Sequence, residues 1–484
     1  MGCTMNFSYN DYKQITEHGL TVEEVNKQIS NFKKGFPYTN IVESVSVGNG
    51  VFVVDDMVGD YMANTFSEYA KSHEIEKLVP ASGAATRMFK DLIKFLQSGE
   101  INPETRKVLD NITKFAFWKD LQNVLPKNPT DNDIIKKIIE LYGNKPKALI
   151  PFHKYDDDYA ATALEEHLKE GAQYAISHGD HVNIHFTVSP EYREEFELLV
   201  NKLKPKFGVT YNIEMSEQDK STDTIAVNMD NTPFRNPDGS LLFRPAGHGA
   251  LIENLNKINA DLVFIKNIDN VTTDNLRKDT IRYKKVLAGI LVSVQKKVFE
   301  LIRTIDSNKA NCQFLIRILH DFVTRQLGIK LEKELDSPYK YKEILNRPIR
   351  VCGVIENIGA PGGGPFWVRG TDGKISLQIV ESSQIAPESK HIMEQSKYFN
   401  PVDIVCGIRD FNDEKFDLTK YVDENTGFIS QKSKDGKDLR AMERPGLWNG
   451  AMANWNTIFV LVPKSTFTPA KVASDLLKEG HGAR

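Results

Sequence analysis

The sequence predicts an α/β fold with a largely parallel sheet, and three stretches predict it. LVPASGAATRMFKDLIKFL, Leu78 to Leu96, reads as strand, tight loop and helix, the order of a first β-α unit in an open sheet. Residues 146–215 then alternate strand and helix patterns, which favours parallel pairing through crossover helices. LLFRPAGHGALIENLNKINADLVFIKNIDNV, Leu241 to Val271, reads as a loop that opens a helix, followed by a buried strand, Leu262 to Ile268. Asp269 ends that strand. A glycine loop before a helix presents N–H groups to an anion. A carboxylate at the C-terminal end of a parallel strand stands where such sheets bind ligands.

In chain order, residues 1–74 read as a helical lead, in which TVEEVNKQISNFKKG has helical spacing. A short apolar strand, Val51 to Val54, follows the Gly48-Asn49-Gly50 turn. Lys77 to Pro80 is the next strand, with a helix from Thr86 onward. Residues 91–145 are charged, amphipathic and broken by Pro103, Pro126 and Pro129, and they read as a helical insertion. The sheet pattern resumes at Pro146 to Phe152. It continues as helix (Ala160–Ser177), strand (Val182–Val188), helix (Glu191–Leu203) and strand (Val209–Met215). Residues 273–345 form a long helical segment, and strands return from Ile349. The division is a lead (1–74), an α/β core (75–345) and a C-terminal part (346–484) that completes the site.

The 62 basic and 65 acidic residues give a formal net charge of −3, so there is no global basic field for nucleic acid. Val286 to Val294 is the most apolar run and is too short to span a bilayer. The start is polar and lacks a signal-peptide pattern. A cytoplasmic protein with no membrane partner is the expectation. The four cysteines (Cys3, Cys312, Cys352, Cys406) are scattered, without metal-ligand spacing. The oligomeric state is not legible.

GHG, a helix and then NIDN resemble the nucleotide-contact loop and metal-site strand of the UTP–sugar-1-phosphate uridylyltransferases, the UDP-glucose and UDP-N-acetylhexosamine pyrophosphorylases. TFTPAKVASDLL, Thr466 to Leu477, is similar to their late segment, whose lysine reaches the phosphates. The chain as a whole is also similar to a bacterial family described only as a domain of unknown function. The resemblance implies a three-layer αβα sandwich with a Rossmann-like sheet, of the nucleotide-diphospho-sugar transferase type. It also implies Mg²⁺-dependent attack of a sugar 1-phosphate on the α-phosphorus of a nucleoside triphosphate, with UTP expected. Such chemistry needs positioning and charge neutralisation more than acid–base work.

The same resemblance assigns residues. Ala81 to Met88 resembles the AGGxGTRM loop: Gly83, Thr86, Arg87 and Met88 match, while Ser82 and Ala85 replace glycines. A methyl group at Ala85 is placed to crowd a phosphate approaching the backbone. That departure leaves open a relative that binds nucleotide sugars without turning them over. Lys147 and Lys471 are expected at the phosphates together with Arg87. Gln218, Pro245 and Gly247 are expected at the base, and His248 and Glu381 at the sugar. Asp269 and Asp403 are expected at the metal. Gly362-Gly363-Gly364 resembles a turn of the glucose enzymes. Arg444 to Met452, RPGLWNGAM, has no counterpart in the resemblance.

Overall fold

The computed structural model describes residues 7–482 apart from 156–158, 308–311, 358 and 360–362. Cys3 and Gly362 lie outside the described residues. Ten strands form the main sheet. In chain order they are β1 (Ser46–Val47), β2 (Gly50–Phe52), β3 (Ile75–Pro80), β4 (Ile176–Ser177) and β5 (His181–Thr187). The rest are β6 (Thr210–Ser216), β7 (Leu262–Lys266), β8 (Ile349–Glu356), β9 (Tyr398–Gly407) and β10 (Asn456–Leu461). They lie in the order β1-β2-β10-β8-β9-β7-β3-β5, with β4 and β6 both paired to β5. Among the described residues the pairings are parallel except for β9 with β7 and β8, and for short β4 with β5. The mostly parallel sheet is therefore as expected, with β9 reversed at its centre.

Side chains alternate across each strand, so both faces are apolar. Ile75, Leu262, Phe264, Ile349 and Val351 pack under the 29-residue helix Lys278–Asp306. Leu78, Val263, Ile265, Cys352 and Val354 face the short helix Leu251–Lys257 and the Leu447–Trp455 stretch. Trp367, Leu377 and Ile379 join that second core from a four-stranded antiparallel sheet. The second covering layer is thus part helix and part sheet, not the purely helical layer of an αβα sandwich. No helix among the described residues is long and apolar enough to cross a membrane.

The N-terminal lead is more than helical. Thr21 and Glu24 form a capping box on Val22–Lys34, the pairing that satisfies two otherwise orphaned donors. That helix packs Val25, Ile29 and Phe32 against Ile225, Val227 and Met442. Between this helix and Asp56–Ala70, however, the chain gives β1 and β2 to the edge of the main sheet and Ile41–Ser44 to the second sheet. The C-terminal part supplies β8, β9 and β10 and so completes the sheet.

Pro146–Phe152 does not re-enter the sheet. Lys147–Leu149 is a 3-10 turn, and Pro151–Lys154 forms a separate hairpin with Ala160–Thr162. The cause is local: Ala84 pairs with Pro146, and the Lys147 N–H donates to the Gly83 carbonyl at 3.3 Å.

Candidate active site

The parallel strands end together, and β3 runs directly into the loop 81–88. The Ala81 N–H donates to the Thr187 carbonyl at 3.0 Å, which ties the loop to the end of β5. Gly83 is exposed, and a Cβ built there meets nothing within 4 Å. Ala85 corrects the expectation. It is fully buried and belongs to the core with Val79, Met88 and Phe89, so its methyl group does not stand in a phosphate's path. Its N–H is held by the Lys145 carbonyl at 2.9 Å. Arg87 is exposed at the end of a single 3-10 turn, Ala85–Arg87, and the α-helix begins later, at Lys90.

Asp269 stands three residues beyond β7, within the tight Asn267–Asn270 turn. Lys147 Nζ donates to Asp269 Oδ2 at 2.7 Å and to the Ala470 carbonyl at 2.7 Å. Lys471 Nζ reaches the same carboxylate at 3.2 and 3.4 Å. The structure thus brings together three residues that sequence analysis singled out from distant stretches. Burial opposes ionisation of Asp269, but the ammonium groups of Lys147 and Lys471 outweigh it and hold the carboxyl below its usual range. Burial also lowers Lys147, against the pull of Asp269. Lys471 is 46% exposed, so its charge can turn toward a ligand.

The Lys471 segment is anchored from three sides. Asn270 pairs with Pro469. Asp475 Oδ2 accepts from the Lys471 and Val472 N–H groups at 2.7 and 2.9 Å. Glu104 accepts from the Ser474 N–H and hydroxyl at 2.9 and 2.7 Å. Glu104 belongs to helix Pro103–Asp110 of the insertion, so the insertion positions the lysine. Sequence reading missed Asp475 and Glu104. The S-D pair after the lysine was a signal for the first; nothing local pointed to the second.

Across the edge lies the GHG loop. Gly247 has φ +74, and a Cβ there would sit 2.4 Å from Glu443 Oε2, so only glycine fits this backbone. Pro245 is exposed, and Gln218 is half-buried just past β6. His248 stacks on Trp448, with ring centroids 4.1 Å apart and planes at 11°. Its Nδ1 accepts from the Leu447 N–H at 3.0 Å, and its Nε2 is 3.9 Å from Glu381 Oε1. Desolvation holds the imidazole below its usual range, against the attraction of Glu381. Glu381 accepts from Asn449 Nδ2 at 3.0 Å. The RPGLWNGAM stretch therefore supplies Trp448, Leu447 and Asn449 to the two residues expected at the sugar. Burial raises the Glu443 carboxyl, opposed by Lys432 and Arg87. Arg87 is thus within electrostatic reach of this pocket.

Asp403 is placed differently. It sits in β9 opposite Lys266 and is ion-paired with buried Lys284. It belongs to a buried charge layer beneath the site. Lys77 and Lys266 both donate to Glu170, at 2.8 and 2.7 Å. Three ammonium groups thus face two carboxylates. Burial, outweighing Glu170, pushes Lys77 down to about 7.

A family model described as a domain of unknown function (DUF4301) matches residues 8–482. No curated protein matches the sequence. Among solved structures, the uridine diphosphate N-acetylglucosamine pyrophosphorylase from Trypanosoma brucei aligns with a TM-score of 0.51 at 11% identity, over 97% of this chain and 79% of that one. A UDP-glucose pyrophosphorylase mutant from Leishmania major aligns with a TM-score of 0.47 at 13% identity, over 98% and 79%. At such identity the likeness is one of fold.

Proposed function

This chain belongs to the family described as a domain of unknown function, DUF4301, and we propose that it is a sugar-1-phosphate nucleotidyltransferase that prefers UTP. One observation carries the reading: Lys147 and Lys471 converge on Asp269 beside the 81–88 loop, whose Arg87 is within electrostatic reach of Glu443 in the His248–Glu381 pocket. A sugar-phosphate oxygen attacks the α-phosphorus, the bond to the bridging β-phosphate oxygen breaks, and pyrophosphate leaves. Lys147 and Lys471 neutralise the charge that crowds the pentacoordinate centre. Gly83 and Arg87 face the phosphates. Gln218, Pro245 and Gly247 face the base, and His248 and Glu381 hold the sugar.

Asp269, a buried carboxylate held ionised by Lys147 and Lys471, would exchange the half-exposed Lys471 for an oxygen-seeking cation. It would hold Mg²⁺, which when bound neutralises phosphate oxygens. Asp403 suits that role less, because it lies within strand β9 opposite Lys266 and pairs with the fully buried Lys284, whereas the Lys471 partner of Asp269 is half-exposed and free to turn away. We assign it to balancing that buried lysine. The Trypanosoma brucei enzyme of the same fold is named for a uridine diphosphate sugar, which supports UTP.

The test is pyrophosphate release from UTP with Mg²⁺ and a panel of sugar 1-phosphates. Turnover with at least one sugar is expected, lost in Asp269→Ala with the fold intact by circular dichroism. A folded protein inactive with every nucleotide–sugar pair overturns the proposal. Calorimetric binding of UDP-sugars in that case would favour the second reading, a binding protein without turnover. Ser82, where the resembling loop carries glycine, is the residue that favours it.

A further inference from the structure

Beside the Gln218 segment, and sharing no residue with the Lys147–Lys471–Asp269 cluster, three adjacent strands present a second set of ligating groups. Leu78, His185 and Glu214 stand side by side in β3, β5 and β6, and Glu76 lies two residues before Leu78. Glu76, His185 and Glu214 therefore project from one face of the sheet. His185 Nδ1 is 3.7 Å from Glu76 Oε1 and 3.5 Å from Glu214 Oε2. One ligand atom from each residue lies within 4.8 Å of the other two. Tetrahedral ligands at about 2.1 Å from a zinc ion stand about 3.4 Å apart, so the set needs little movement to close on an ion.

The histidine supplies the second observation. His185 is 5% exposed, and its buried Nδ1 has no hydrogen-bond partner. Its other nitrogen, Nε2, lies 2.6 Å from Ser216 Oγ, which accepts from Asn254 Nδ2 at 2.7 Å. When Nε2–H donates to that hydroxyl, the Nδ1 lone pair points at the two carboxylates. A metal-bound imidazole is held in this way.

We propose that Glu76, His185 and Glu214 bind a divalent transition-metal ion of the zinc class, at a site separate from the phosphate cleft. One imidazole and two carboxylates favour zinc over magnesium. All three ligands stand on rigid strands, and β6 is hydrogen-bonded only to β5 among the described strands. The ion would therefore tie this outer strand to its neighbours. Glu214 is 75% exposed, which leaves an entry path and an open coordination position.

The probe is Zn²⁺ alone, titrated by calorimetry into the full chain after chelator treatment and dialysis. The expected result is one saturable equivalent, undiminished by excess Mg²⁺ and retained in Asp269→Ala. Glu76→Gln and Glu214→Gln keep the shape of the side chains and avoid unfolding risk at buried His185. Each should weaken binding at least about tenfold. Zn²⁺ should also raise the thermal midpoint of the wild type but not of the double variant. Absence of saturable uptake by the wild type, or a single variant that binds as tightly as the wild type, overturns the proposal.

Discussion

Lys471 shows how far single residues can be read. Its TPAK-x-x-SDLL setting pointed to the phosphates, and the structure sets its ammonium 3.2 Å from Asp269. A point charge meeting charge that develops in a partly desolvated cleft is worth on the order of 2–4 kcal/mol, or roughly ten- to a thousandfold in rate. Lys471→Met should lose that factor in kcat, with a smaller change in KM. Lys478 is a poor control, because it pairs with Asp475, whose carboxylate holds the Lys471 backbone. Exposed Lys202→Met is the better one. Equal, small effects from Lys471→Met and Lys202→Met would remove Lys471 from the machinery. Asp269 and the glycine at 247 were legible because strand ends and positive-φ turns leave local marks. Glu104 was not, because its contact with Ser474 spans 370 residues, and the Trp448–Asn449 stretch stood out by composition without showing which side chains it touches. Ala85 misled for a related reason: the loop pattern gives the position of its methyl group but not the direction in which it points.

Elements were read better by type than by edge. The strand at Leu262 ends at Lys266 and not at Ile268, because the chain turns to present Asp269. The Pro146–Phe152 run is apolar enough for a central strand, yet its backbone bonds go to the 81–88 loop. TVEEVNKQISNFKKG does form a helix, Val22–Lys34, but the docking of the N-terminal segment was invisible. Asp11 receives both Arg235 nitrogens, at 2.8 and 2.9 Å, which fixes helix Tyr9–Glu17 to a distant hairpin. That hydrogen bonding lowers Asp11 from 3.8 to about 2. The unfolded chain takes up the proton first as pH falls, so the stabilisation is full above about pH 5, falls through about pH 4 to 2 and is gone by about pH 1. Allowing for the half-exposed arginine, it is on the order of 1–2 kcal/mol. Urea unfolding of Arg235→Met should trail the wild type by that amount at pH 7, and the gap should close on acidification. A gap independent of pH would assign the loss to packing.

At the scale of the whole molecule, a buried charge layer lies directly beneath the catalytic edge. Glu170 is the carboxylate that accepts from both Lys77 and Lys266, with Tyr174 also donating to it at 3.1 Å and Lys77 donating in addition to the His167 carbonyl at 2.8 Å. Glu170→Gln strands two buried ammonium groups. It should cost about 3–5 kcal/mol in denaturant unfolding, whereas a cost below 1 kcal/mol would mean that water reaches the layer. The order of the strands across the sheet has a further consequence, one of timing. β2, from the start of the chain, pairs with β10, from near its end, and β7 lies between β3 and β9. A chain emerging from the ribosome cannot close this sheet until residue 461 is free, and Lys471 follows later still. Long-range pairing of this kind is slow to form. A chain cut before residue 461 should therefore lack a closed sheet and, on the proposed function, show no turnover, which limited proteolysis and pyrophosphate release from truncated chains would check.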